Sequence, residues 1–262
     1  METTNAMNTD QMSTAELIDA AKVEWDRWTE PSPATCALHV RGTREVLDAA
    51  ATMCKSAEPK SRSVGADILG QLGQPERTFP DECCDVLLQL LNQEDDDQVK
   101  AAVVFALGHL RNDRAIPSLI ALSRHPNSDV RHAVASSLYG VTSDAAVAAQ
   151  LDLMDDSNPE ARDWAVTAIG ENLAIDGPQI REAFLRHASD EDVFTRAEAL
   201  HGLARRGDTR VVIYLLAELP VERECAHLFI DIAKTYLGYA DDAEPSLDEL
   251  LRELRSRAVP SS

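Results

Sequence analysis

Lys100-Ala-Ala-Val-Val-Phe-Ala-Leu107-Gly108 and Arg162-Asp-Trp-Ala-Val-Thr-Ala-Ile169-Gly170 are two copies of one arrangement. A basic residue is followed three positions on by a small or apolar residue and seven positions on by Leu or Ile. Further copies are Arg62-Ser-Val-Gly-Ala-Asp-Ile-Leu69-Gly70, Arg131-His-Ala-Val-Ala-Ser-Ser-Leu138-Tyr139 and Arg196-Ala-Glu-Ala-Leu-His-Gly-Leu203-Ala204, with a weaker one at Arg223-Glu-Cys-Ala-His-Leu-Phe-Ile230-Asp231. The spacings are 38, 31, 31, 34 and 27 residues, the length of two antiparallel helices with their turns. At 100° per residue, the position before the base and positions +3, +4 and +7 share one arc of a helix. Position +3 is Gly65, Val103, Val134, Ala165, Ala199 or Ala226, which lets a neighbouring helix come close, and +7 supplies the larger knob. Glycine at +8 (Gly70, Gly108, Gly170) relieves crowding near the helix end.

Between these helices lie partner segments, at 83–91, 116–122, 147–154, 180–187 and 211–219, with apolar residues at i, i+3, i+4 spacing. Asp113, Asp144, Asp176 and Asp208 stand 31, 32 and 32 residues apart as N-caps or first-turn acids, and Pro117 and Pro178 take first-turn positions. Each unit is therefore helix A, turn, helix B and a short loop, and such units must stack to bury their apolar arcs. The expected architecture is an all-α, right-handed α-solenoid of about six helix pairs with capping helices at both ends.

The ends read as caps. Ser13-x-x-Glu16 is a capping box opening a helix striped with Leu17, Ala21, Trp25 and Trp28, and Thr29 to Pro33 breaks it. A helix over roughly Thr43 to Lys55 would be the A partner of the Arg62 helix. Ser246-x-x-Glu249 opens a last helix, to Arg257, whose Arg252, Arg255 and Arg257 complement its C-terminal dipole. The expected division is a disordered tail at 1–12, capping helices and a first A helix at 13–58, the repeat array at 59–240, a capping helix at 241–258 and a tail at 259–262, one solenoid domain in all.

Composition narrows the function. The chain has 262 residues and 25 Lys+Arg against 45 Asp+Glu, a net charge of −20. That charge argues against nucleic acid, which demands a basic stripe, and against an anionic membrane, and it suits a basic protein partner. The longest apolar stretches, around 101–107 and 211–217, are too short to span a bilayer, and no signal peptide opens the chain. Five cysteines (Cys36, Cys54, Cys83, Cys84, Cys225) with no C-x-x-C read as buried thiols of a cytoplasmic protein.

The recurring Val/Ala-Arg-x-x-Ala-x-x-x-Leu-Gly resembles the bacterial HEAT repeat, also described as the phycobilisome-lyase-like repeat, over about residues 59–233. The 162–170 copy, Ile180-Arg-Glu-Ala-Phe184 and Arg196-x-x-Ala-Leu-x-Gly-Leu-Ala-x-Arg-x-Asp208 are similar to the YibA-type HEAT proteins. The resemblance implies a binding solenoid, and in some relatives an immunity role against Rhs-type toxins. It also implies a structural ladder in which Arg62, Lys100, Arg131, Arg162 and Arg196 meet acids of adjoining repeats, with Asp97, Asp129, Glu160 and Asp192 as the fitting acids.

Chemistry finds little purchase. G-x-G-x-x-G, the Walker lysine loop, G-x-S-x-G and H-E-x-x-H are all absent, and no histidine precedes a Glu as in the iron-holding HEAT hydroxylases. His39, His109, His125, His132, His187, His201 and His227 lack metal-ligand spacing, although His109, His132 and His201 could face one groove. Catalytic, cofactor and metal sites are accordingly expected to be none. Two features stand out as partner-binding candidates. Acids crowd the A-to-B turns at Glu94-Asp95-Asp96-Asp97, at Asp155-Asp156 with Glu160, and at Asp190-Glu191-Asp192. Helix capping accounts for one or two acids per turn but not four, so an acidic ridge that meets a basic partner stands beside the capping reading. Trp164 at +2 is either wedged between repeats or presented as an anchor in a concave groove, with Phe105 and Leu228 at +5 as weaker candidates. The favoured reading is a non-catalytic protein-binding module, in its sharpest form an immunity-type inhibitor of a basic toxin domain. A scaffold or adaptor and a HEAT-type lyase are the alternatives, with the oligomeric state open.

Overall fold

The computed structural model describes residues 9–27, 32–220, 225–240 and 242–258. Among these residues every regular element is a helix, and the chain divides into two compact units, Met1–Leu138 and Tyr139–Ser262. The first holds α1 (Thr14–Arg27), α2 (Pro33–Arg41), α3 (Arg44–Met53), α4 (Pro59–Gly70), α5 (Pro80–Gln93), α6 (Asp97–Leu110), α7 (Ile116–Ala121) and α8 (Ser128–Ser137). The second holds α9 (Asp144–Leu153), α10 (Pro159–Glu171), α11 (Pro178–His187), α12 (Val193–Arg205), α13 (Val211–Glu218), α14 (Ala226–Leu237) and α15 (Leu247–Ala258).

The fold is all-α and of the solenoid class, because the repeat arc is the packing surface. In the first unit α4, α6 and α8 pack in series, with α3 on α4, α5 on α6 and α7 on α8. In the second α10, α12 and α14 pack in series, with α9 on α10, α11 on α12 and α15 against α13 and α14. Every arc position in the five described copies is buried: Val99, Val130 and Ala161 before the base, Val103, Val134, Ala165 and Ala199 at +3, and Leu69, Leu107, Leu138, Ile169 and Leu203 at +7. Each aliphatic side chain of Leu or Ile size taken from water contributes roughly 1.5–3 kcal/mol. Arg223, the base of the sixth copy, lies outside the described residues, and α14 begins just after it.

The end caps form as the sequence implies, with two differences. Glu16 Oε2 accepts from the Ser13 N–H and hydroxyl, each at 2.7 Å, and Glu249 Oε2 accepts from the same two groups of Ser246, each at 2.8 Å. Leu17 and Ala21 of the α1 stripe are buried, whereas Trp28 lies outside the described residues, as do 1–8 and 259–262. The first difference is α2, which the sequence reading passed over. Pro33 opens it, Gly42 closes it at φ 51°, and buried Glu24 on α1 accepts from the Ala34 N–H at 3.0 Å and the Thr35 N–H at 3.3 Å, capping it from another helix. Ahead of it Thr9–Gln11 is a 3-10 turn, and Arg41 donates to the Met12 carbonyl at 2.9 Å. The second is Arg257, which donates to the Tyr236 and Leu237 carbonyls at 3.2 Å each, serving the end of α14 rather than that of its own helix.

The +8 glycines are not equivalent. A Cβ on Gly70 would lie 2.7 Å from the Ala106 Cα, and one on Gly108 would lie 2.4 Å from the Ser137 hydroxyl oxygen, so α4 and α6 touch their successors through backbone. At Gly170 the nearest atom to such a Cβ is 3.9 Å away. Gly70→Ala should therefore destabilise by about 1–3 kcal/mol through overpacking, and Gly170→Ala should be neutral or stabilise by up to ~1 kcal/mol through helix propensity. Urea denaturation of the two variants checks the contrast.

Candidate functional site

Four of the five ladder bases first bind their own turn. Arg62 donates one guanidinium nitrogen to the Ser56 and Ala57 carbonyls, at 3.0 and 3.1 Å. Arg131 does the same to His125 and Pro126, at 2.8 and 3.0 Å, and Arg162 to Asp156 and Ser157, at 3.0 and 3.5 Å. Arg196 repeats it on Asp190 and Glu191. In Arg62, Arg162 and Arg196 the remaining face of the fork reaches the next repeat. Arg62 grips Glu94 bidentately, at 2.7 and 2.8 Å, and Arg162 grips Asp190, at 3.0 and 2.8 Å, while Arg196 pairs with Glu218 at 3.1 Å. These acids differ from the expected ones. Asp97 pairs with Lys100 of its own helix, at 3.7 Å, because a single ammonium cannot serve turn and neighbour together as a guanidinium does.

The crowded turns have a division of labour. One acid of each turn accepts the N–H two residues on: Glu94 from Asp96 at 3.0 Å, Asp156 from Asn158 at 2.8 Å, and Asp190 from Asp192 at 2.9 Å. The acceptor two residues later caps helix B, Asp96 from Val99 at 3.1 Å and Asp192 from Thr195 at 2.8 Å. Asp155 is held by Arg186 at 2.9 Å, and buried His187 sits between Asp155, at 3.1 Å, and Asp190, at 3.3 Å. Burial pushes the Glu94 and Asp190 carboxyls up, but the guanidinium and backbone donors outweigh it and leave both below the usual range. Asp95 and Glu191 are exposed.

The opposite pattern holds on the outward stripe of the B helices. In the first unit Phe105 is half-buried with its ring edge-on to His132, centroids 5.4 Å apart. In the second, Glu160, Trp164, Thr167 and Glu171 form a stripe on α10 that Phe194, Glu198, His201 and Arg205 repeat on α12 at the same helical positions. Trp164 is 38% exposed and meets Tyr139 edge-on at 6.3 Å, and Phe194 is 54% exposed. Leu228 is half-buried on α14. Large aromatics left open on a helix face beside carboxylates supply both apolar area and charge to a partner.

Beside Trp164, Asp163 turns toward α12. Its Oδ1 is shielded from solvent and meets no hydrogen-bond donor among the described residues. Burial, helped by the Asp192 charge, pushes the Asp163 carboxyl up to about 6. Burial likewise raises Glu198, with Asp163 and Glu171 adding to it and Arg205 opposing. Arg205 itself is engaged by Glu171 at 2.9 Å. Burial lowers His201 and His109, each with arginine neighbours pushing the same way. Sequence reading missed Asp163, Glu198, Phe194 and Tyr139. Their signal was faint: Tyr139 replaces a glycine at +8, and Asp163 precedes the exposed Trp.

Elsewhere the polar groups serve the scaffold. Arg206, its side chain 2% exposed, donates to the Ile169, Asn172 and Ile175 carbonyls at 2.8, 3.0 and 2.9 Å and lies over the Phe184 ring, fixing the loop after α10. A cavity of about 500 Å³ in the first unit is lined by Cys54, Lys55, Arg62, Gln93, Glu94 and Asp96, of which Arg62 and Glu94 already hold each other. No group of three or more His, Cys, Asp or Glu side chains is placed to hold a metal ion among the described residues. All five cysteines are free, with burial pushing Cys54 up to about 12 and Cys83 to about 11.

With this geometry in place, the likenesses to known proteins are informative. A family model described as HEAT repeats matches residues 84–157 and 147–222. Protein YibA of Escherichia coli strain K12 is 27% identical over 192 residues, which is 70% of this chain, and the chain spans 66% of that relative's length. A crystal structure of Escherichia coli YibA superposes with a TM-score of 0.70 at 22% identity, covering 97% of this chain and 94% of that one. The CpcE–CpcF complex of a phycocyanin lyase from Nostoc sp. superposes at 0.51 with 16% identity, covering 98% and 97%, a likeness of fold.

Asp163 makes a testable demand on stability. Its folded pKa lies above the unfolded value of about 3.9, so its contribution is most favourable below that value and is lost as pH rises through about 6. Asp163→Asn should raise the melting temperature at about pH 7.5, and the gain should vanish near pH 4, where the wild-type carboxyl is already protonated in the fold. Thermal scans at the two pH values read it.

Proposed function

Because this chain belongs to the HEAT-repeat family, we propose that it is a non-catalytic module that binds another protein, and that the partner is basic. The observation that carries this reading is the stripe of the second unit, where Trp164, Tyr139 and Phe194 stand open among Glu160, Asp163, Glu171 and Glu198. A surplus of 20 negative charges would steer a basic protein toward that surface and repel nucleic acid and anionic lipid. The five free thiols suit a reducing cytoplasm, although only Cys54, Cys83 and Cys84 are buried as expected while Cys36 is exposed and Cys225 half-buried. No helix among the described residues is long and apolar enough to cross a membrane.

Within this reading the immunity-type inhibitor of a basic toxin domain is the sharpest form. It is supported by the YibA likeness together with the charge, and a toxin gene beside the coding sequence would favour it over a general adaptor. The lyase alternative draws only on the fold shared with the phycocyanin lyase complex, and a chromophore carried through purification would be its mark.

Trp164 is the first residue to test. Trp164→Ala should weaken partner binding by about 2 kcal/mol or more while the melting temperature stays nearly unchanged, since the indole is more than a third exposed. In the same measurement the association rate of the wild-type chain should fall steeply between about 50 and 500 mM salt. A partner captured from native lysate and eluted by rising salt supplies the reagent. Salt-independent association would remove the electrostatic reading, and a large stability loss in Trp164→Ala would assign the indole to the core.

A further inference from the structure

The turn carboxylates and the stripe carboxylates are in opposite electrostatic situations. Glu94 and Asp190 are supplied with donors by the scaffold itself. Asp163 and Glu198 are not equally supplied. They lie on α10 and α12 close enough that the Asp163 charge raises Glu198, and Asp163 carries a solvent-shielded oxygen without a donor. The charged groups around them are Asp192 at the start of α12, Glu171 on α10 and Arg205 on α12, with the Arg205 guanidinium held by Glu171. His201 lies along the same α12 stripe, and Asp231 on α14 acts on it. The local balance is thus two half-buried carboxylates with two more nearby, Asp192 and Glu171, against one arginine already engaged by Glu171. Trp164, next to Asp163 on α10 and edge-on to Tyr139, offers an aromatic flank to a cation.

We infer that the α10–α12 face is a seat for a basic side chain of the partner, an arginine or lysine whose head lies between the Asp163 and Glu198 carboxylates and whose stem runs beside Trp164. The inference rests on the proposal of a basic protein partner and specifies the groups that receive it. An incoming guanidinium pairs with the accessible edges of both carboxylates and separates two like charges, so the arrangement that costs the free protein stability becomes favourable in the complex. The turn edge, where most acids are already paired or capping and Asp95 and Glu191 stand exposed, then provides steering rather than the seat. Because the seat must be anionic to receive a cation, binding follows Asp163 ionisation and weakens as pH falls through about 6.

A fluorescein-labelled octapeptide alternating arginine and glycine, and its counterpart with neutral citrulline in place of arginine, test this on the full chain by fluorescence anisotropy. The wild-type protein should prefer the arginine peptide, and its affinity should drop between about pH 7.5 and 5.5. The double variant Asp163→Asn/Glu198→Gln should bind the arginine peptide about tenfold or more weakly while its melting temperature holds or rises, which separates lost binding from lost folding. The double variant Asp95→Asn/Glu191→Gln removes the same charge from the exposed turns and should stay within about threefold of wild type. Equal losses in both variants, or no loss in Asp163→Asn/Glu198→Gln, overturn the seat while leaving a basic partner standing. A wild-type chain that prefers neither peptide overturns the basic-partner proposal together with the seat.

Discussion

A forked cation that ties a helix to its own preceding turn is the interaction on which the rest depends. In Arg62, Arg131, Arg162 and Arg196 the guanidinium reaches back five and six residues to two turn carbonyls that helix geometry leaves without partners. In Arg62, Arg162 and Arg196 planarity lets the same group present its other edge to a carboxylate of the following repeat. Two requirements, closing the turn and fixing the next repeat, are thus met by one side chain. With Ser61, Val99, Val130, Ala161 and Thr195 buried just before each base, the arc and the fork share a register and neither can slip without the other.

That register is why so much of the architecture was legible in one dimension. A base followed at +3 by a small residue and at +7 by Leu or Ile is a helix-phase signal, and the capping boxes at Ser13 and Ser246 mark ends by local chemistry alone. What escaped was set by distance in the chain. Helix α2 owes its N-terminal cap to Glu24, ten residues upstream on another helix. The acids that meet Arg62 and Arg162 lie 32 and 28 residues downstream, at turn positions where several acids compete. Glu94 and Asp190 win because their backbone position, two residues ahead of the cap, already directs a carboxylate toward the preceding repeat.

The candidate site was legible only in part for the same reason. Trp164 was visible because an aromatic at +2 is conspicuous in any single helix. Asp163 was not, since a lone acid on a charged chain has no signature until α12 is placed across from it and strips away its water. Most of the acids that looked suggestive in the sequence, Glu94, Asp96, Asp155, Asp156, Asp190 and Asp192 among those massed at the turns, prove to be employed by the scaffold. Asp163, which looked ordinary, is the one with an oxygen the scaffold leaves in want of a donor.

The alignment of the α10 and α12 stripes carries one more consequence. Glu160 and Phe194, Trp164 and Glu198, Thr167 and His201, Glu171 and Arg205 occupy matching places, yet each couple differs in size, polarity or charge. The supporting residues one turn around the cylinder do the opposite and remain interchangeable in kind, as Ala165 with Ala199 and Ile169 with Leu203. Architecture and affinity are therefore written in separate columns of the same helix. Such a chain can trade one client for another by editing a handful of outward letters, with the frame that displays them left untouched.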